Sequence, residues 1–275
     1  MNWKTILVHL YDSRRCATRM QFALELARRF DAHVIGLYLV CQDLGHPLFD
    51  PGLSLQRGAY EEQRRTSLDN AREAFEHAAR LAGVNGEWRA PTGSVLDAAT
   101  LHGRHADVVV LGQDDPDDPG AFIARQFVED VVMGLGRPAL LVPRSGDIKT
   151  LGESVVIAWD DSREAARAVA DALPILRRAR FVEIMTVERH RDEKSPLGIE
   201  ISAYLDRQGV SASFSSTPRI RGENTGLTLM DRANSVHADM LVAGAYAHSR
   251  GLERVLGGVT RTLLETSTLP FLLSH

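Results

Sequence analysis

The sequence predicts an α/β fold: two doubly wound, open parallel-sheet sandwiches, each of about five strands with helices on both faces. Three observations predict it. The chain has 275 residues, long for one mixed domain and suited to two of roughly 130 to 140 residues each. Signature residues of one half recur in the other. Apolar runs such as Val108 to Gly112 and Leu140 to Val142 are continuous rather than alternating, which requires a sheet covered on both faces.

The recurrence organises everything else. Asp12-Ser13-Arg14 follows the apolar run from Ile6 to Tyr11, and Asp161-Ser162-Arg163 follows the run ending at Trp159 and Asp160, an offset of 149 residues. His105-Ala106-Asp107 leads into a strand ending at Gly112, and His237-Ala238-Asp239 leads into one ending at Gly244, an offset of 132. Pro138 and Pro270 open the closing apolar runs at that same offset. The second copy is therefore shorter by 17 residues between its first strand and its fourth. The domains are expected at 1–146 and 150–275, joined by the Gly- and Ser-containing stretch 144–152.

Each element follows from its own pattern. In the first half, short β-branched runs predict strands near 4–10, 33–40, 86–90, 107–112 and 138–143. Between the first two, residues 14–30 place Ala17, Met20, Phe22, Ala23, Leu26 and Ala27 on one broad face, as a helix covering a sheet requires. Residues 57–83 are charged and end at Gly83, which predicts a long helix with a Pro/Gly-rich lead at 45–54. In the second half, strands are expected near 154–159, 180–187, 212–217, 239–244 and 270–273. Helices are expected near 163–178, 195–209, 225–236 and 258–267.

Composition narrows the function. With 44% hydrophobic and 25% charged residues, the chain has material for real cores and is not disordered. A net charge of −4 offers no global field to a polyanion, so no nucleic acid is expected as partner. No run approaches eighteen apolar residues, so no membrane span is expected. Cys16 and Cys41 are too few for a disulfide scaffold, and the expected location is cytoplasmic. The chain lacks the P-loop, zinc-protease, serine-hydrolase and dithiol motifs, and no intrinsic metal is expected. His102, His105 and Asp107 have near-helical spacing, but His-Ala-Asp recurs before the fourth strand of both halves, which favours capping or packing over metal ligation.

In doubly wound sheets, ligands bind beyond the carboxyl ends of the strands where strand order reverses. The residues after Trp159 and after Gly244 are the first places to look. From Gly244 the chain runs through Ala247, His248, Arg250 and Arg254 to Gly257-Gly258-Val259 and then into a helix. A glycine at the strand exit removes a blocking side chain, and glycines before a helix leave backbone N–H groups free. Phosphate oxygens suit such a place, because a helix N-terminus adds about half a positive charge.

This arrangement resembles the nucleotide-binding universal stress proteins, here in tandem. That family carries glycine, two residues, glycine, nine residues, then glycine followed by serine or threonine. Gly244, Ala247, Gly257 and Gly258 stand at those four places, so the second and fourth depart. The Ala247 methyl crowds the phosphate position; Gly258 lacks a hydroxyl but keeps its N–H. The resemblance implies an adenine-nucleotide α-hydrolase-like fold and ATP, with or without Mg2+, bound in the second half. It implies that Asp160 lies at the nucleoside, Val187 at the adenine, and Val259 beside Gly258 at the phosphates. His248 and Arg250 are further candidates from the loop.

In the first half, Tyr11 stands where Asp160 stands in the repeat, and Asp114, Asp115, Asp117 and Asp118 follow Gly112. Like charge repels a polyphosphate, so this half reads as a degenerate copy that does not bind ATP. No catalytic residue is evident, and binding in a stress response, with at most slow ATPase or autophosphorylation, is the expected role. The alternative is a nucleotide-free interaction scaffold, favoured by Ala247 and Gly258; an adenylating enzyme ranks third. By the same resemblance the closing strands pair antiparallel, making an intramolecular pseudo-dimer, and homodimerisation stays open.

Overall fold

The computed structural model describes residues 2–39, 54–118, 126–188, 197–220, 222–245 and 258–275. Contacts divide the chain into two compact units, Asn2–Leu135 and Gly136–His275. In the first unit the order is β1 (Thr5–Leu10), α1 (Cys16–Phe30), β2 (His33–Tyr38), α2 (Ser54–Ala82), β3 (Gly86–Arg89), α3 (Val95–Gly103), β4 (Val108–Gly112) and α4 (Phe127–Leu135). The second unit runs β5 (Ala139–Val142), β6 (Ser154–Ala158), α5 (Arg163–Leu176), β7 (Phe181–Glu188), α6 (Leu197–Arg207), β8 (Ser213–Pro218), α7 (Thr225–Ser235), β9 (Met240–Gly244), α8 (Gly258–Thr266) and β10 (Phe271–Ser274).

The first sheet has the order β3-β2-β1-β4, and every described pair in it is parallel. In the second, the order β5-β10-β9-β6-β7-β8 is parallel except where β5 meets β10. Strand order therefore reverses beside β1 in one unit and beside β6 in the other, as the doubly wound α/β prediction requires. All ten expected strands form, and β5 pairs antiparallel with β10, Leu140 lying opposite Leu272. Helix α2 begins at Ser54, three residues before the expected start.

Burial explains the pattern of the runs. The central strands β4, β5 and β10 are buried at every residue. Edge strands β3 and β8 expose much of their length, in keeping with the lower apolar content of strands covered on fewer sides.

The repeated aspartate has a defined task in both units. Asp107 Oδ2 accepts hydrogen bonds from the Lys4 and Thr5 amides at 2.6 and 2.9 Å. The Asp239 carboxylate accepts from the Glu153 and Ser154 amides, both at 3.1 Å. Each carboxylate thus satisfies amides that open the first strand and fixes it beside the fourth. His105 Nδ1 lies 2.9 Å from the Leu101 carbonyl oxygen, and His102 Nδ1 lies 3.1 Å from Arg89 Nη1. These are structural contacts, as the repetition implied.

One buried charge stands out in the second unit. Glu183 on β7 is 1% exposed, and it pairs with Arg232 of α7 at 2.7 Å and accepts from the Ser215 hydroxyl. Removing one partner of a buried pair strands the other charge in a poor solvent. Arg232→Ala is expected to cost about 3 kcal/mol in urea unfolding. Arg28→Ala, which removes an exposed pair with Glu25, is expected to leave the urea midpoint unchanged.

Candidate functional site

At the carboxyl end of β6 the chain turns sharply. Asp161 adopts a left-handed backbone with φ of 60°, and Asp160 Oδ1 accepts from the Ser162 amide at 3.2 Å and its hydroxyl at 2.6 Å. Ser162 Oγ in turn accepts from the Ala165 amide at 3.1 Å and caps α5. A short polar side chain holding the following backbone is the usual way such turns are fixed. Asp160 is left exposed at the strand end.

Strand β9 exits next to β6 at Gly244. A Cβ added there would lie 2.5 Å from the Ala165 nitrogen and 2.6 Å from the Glu164 carbonyl carbon, so only glycine admits the first turn of α5 at this distance. Gly258 differs. It is exposed at the first position of α8, and a Cβ there would meet nothing within 4 Å. Its carbonyl accepts from the Thr262 hydroxyl at 2.7 Å, and Thr262 Oγ1 accepts from Asn224 Nδ2 at 2.8 Å. Asn224 also caps α7 through the Gly226 amide at 2.9 Å. This chain of bonds ties the starts of α7 and α8 together at one rim.

Between these elements lies a cavity of about 470 Å³, within the range of small-molecule sites. Trp159 and Asp160 line it from β6, Met185 and Val187 from β7, and Gly244 from β9. Gly258 and Val259 line it from the start of α8, Leu229 from α7, and Arg219, Glu223 and Asn224 from the β8–α7 connection. The walls are apolar at β7 and α7 and polar at both ends.

Five expected site residues, Asp160, Val187, Gly244, Gly258 and Val259, thus line one cavity. Ala247, His248, Arg250 and Gly257 lie outside the described residues. Sequence reasoning missed Arg219, Asn224, Met185 and Leu229. A signal was present in the polar, glycine-containing stretch Arg219 to Asn224 directly after a predicted strand. Among the described residues no group of three or more His, Cys, Asp or Glu side chains could hold a metal, and no helix is long and apolar enough to cross a membrane.

The corresponding place in the first unit is filled by the chain itself. A Cβ on Gly112 would lie 2.3 Å from Arg19 Nη1 and 3.3 Å from the Tyr11 hydroxyl. Arg19 is 1% exposed. Its Nε donates to the His9 carbonyl at 2.6 Å, its Nη2 to Ser13 Oγ at 3.4 Å, and its guanidinium sits 4.4 Å from the Tyr11 ring centroid. Burial, and then the Arg19 charge, push His9 down to about 3, so its ring is neutral at ordinary pH. A guanidinium on an aromatic ring thus stands at this place in addition to the aspartates that follow Gly112. Asp118 instead accepts from the Arg14 amide at 2.6 Å.

Comparison of the whole chain with solved structures now decides the fold. A universal stress protein from Archaeoglobus fulgidus DSM 4304 superposes with a TM-score of 0.74 at 15% identity, covering 98% of this chain and 97% of that one. The chain has the universal stress protein fold. A functionally unknown protein from Pseudomonas aeruginosa PAO1 is similar too, with a TM-score of 0.60 at 15% identity over 99% of this chain and 92% of that one. No protein-family model matches the sequence, and no curated protein matches it. The likeness to the universal stress protein fold therefore lives in backbone arrangement, carried by few identical residues.

The two glycines of the cavity predict opposite stability effects. Gly244→Ala is expected to lower unfolding stability by about 2 to 3 kcal/mol, since backbone atoms of α5 must give way. Gly258→Ala, facing open space, is expected to change it by less than about 0.5 kcal/mol. Thermal unfolding of both variants beside the parent checks this.

Proposed function

We propose that the second unit of this chain binds an adenine nucleotide, ATP with or without Mg2+, and that the protein acts in the cytoplasm as a universal stress protein in a stress response. The observation that carries the reading is the cavity at the switch point, where Asp160, Val187, Gly244, Gly258 and Val259 converge. The start of α8, with Gly258 exposed at its first position, suits phosphate oxygens, because a helix N-terminus favours an anion. Met185, Val187 and Leu229 offer apolar surface to a base. Asp160 stands between these two ends and suits ribose hydroxyls.

Binding rather than turnover is the proposed role. Among the described cavity residues there is no pairing of a nucleophile with a general base. In the first unit, Arg19 and Tyr11 occupy the matching position, which supports one nucleotide per chain rather than two.

Calorimetry with ATP, ADP and AMP, with and without Mg2+, tests the reading. The expected result is saturable binding at about one site per chain. Gly258→Ser supplies the hydroxyl that the family directs at phosphate and is expected to tighten ATP about tenfold. Asp160→Ala is expected to weaken it about tenfold. Absence of binding in the parent protein and in Gly258→Ser alike would favour the nucleotide-free scaffold.

A second part of the proposal, which rests on the family resemblance, is that the chain forms an intramolecular pseudo-dimer. Sedimentation at micromolar concentration is expected to give the mass of a single chain. A dimer would show that pairing between chains is also used.

A further inference from the structure

We infer that Arg219 is the base-end residue of the cavity, laying its planar guanidinium against the purine and thereby setting affinity for the nucleoside part of the ligand. This rests on the proposed nucleotide binding and names the group that would read the ligand's other end.

The order of the strands places it. Across the cavity the sheet runs β9-β6-β7-β8. Gly244 ends β9, Asp160 follows β6, Val187 lies near the end of β7, and Arg219 follows Pro218 at the end of β8. Neighbouring strands are spaced by about 4.8 Å, so β9 and β8 stand roughly 14 Å apart. The start of α8, with Gly258 and Val259, belongs to the β9 end. A ligand with phosphates at α8 and ribose at Asp160 therefore carries its base over β7 toward β8. Arg219 lines the cavity there.

The chemistry of the side chain fits. Arg219 is exposed, and no hydrogen bond, ion pair or ring contact with another described residue holds its guanidinium elsewhere. Arginine stacks on aromatic faces and presents several donors, whereas lysine offers a strongly hydrated point charge. Met185, Val187 and Leu229, which line the same cavity, are apolar. A purine between them has one face on aliphatic carbon and the other under a delocalised cation, a favourable arrangement for a π system.

Arg219→Ala and Arg219→Lys, measured by calorimetry with AMP, ADP and ATP, test the inference. A base contact predicts that Arg219→Ala loses roughly five- to twentyfold in affinity, by the same factor for all three nucleotides, and that Arg219→Lys recovers little of it. A phosphate contact predicts a loss growing from AMP to ATP, with much of it recovered by lysine, and that outcome overturns the inference. Unchanged affinity in Arg219→Ala overturns it as well, while leaving nucleotide binding intact. Failure of the parent protein to bind any of the three overturns the underlying reading and this inference with it. The side chain is exposed, so unfolding temperatures of the variants are expected to match the parent.

Discussion

The second unit's cavity depends on how closely α5 approaches the end of β9. With no side chain on Gly244, the Ser162-capped first turn of α5 rests directly against the strand exit. That contact sets where Asp160 emerges, and so where the crevice opens between β6 and β9. A doubly wound sheet supplies such a crevice by topology. Whether it stays open is decided by one or two side chains. Gly112 occupies the same position in the repeat and has the same freedom from a side chain, but there the space has been taken by Arg19 and Tyr11.

The two outcomes are each self-consistent. A guanidinium without solvent needs donors satisfied and charge spread, and Arg19 obtains this from the His9 carbonyl, the Ser13 hydroxyl and the Tyr11 ring. The first crevice is therefore complete without a ligand. Its counterpart has Ala168 where Arg19 stands and Asp160 where Tyr11 stands. Neither reaches far enough to take that place, and the described residues Asp160, Arg219 and Gly258 line a cavity there.

Much of this organisation was legible in the sequence because it depends on short-range patterns. Continuous apolar runs fixed the strands, and the repeated His-Ala-Asp located the fourth strand of each half. Its purpose, holding the amides before the first strand through Asp107 and Asp239, is a long-range bond that no local pattern reveals. Arg19 was hidden for a similar reason. In a helix rich in arginine, the periodicity of 16–30 does not single out the one arginine that turns inward. Arg219 was missed because its neighbourhood depends on strand order, which places the exit of β8 at the far side of the same cavity that begins at β9.

The division between a filled and an open crevice also bears on stability. Interactions internal to the chain contribute to folding regardless of surroundings, so the first unit draws its share from Arg19 and Tyr11 at all ligand concentrations. An open site contributes only when occupied, by an amount that grows with the logarithm of ligand concentration above the dissociation constant. Within one chain, then, the same backbone arrangement is filled by Arg19 and Tyr11 in one unit and lined around a cavity in the other. Gly258 sharpens the contrast, because a Cβ there would meet nothing within 4 Å, whereas one on Gly112 would run into Arg19.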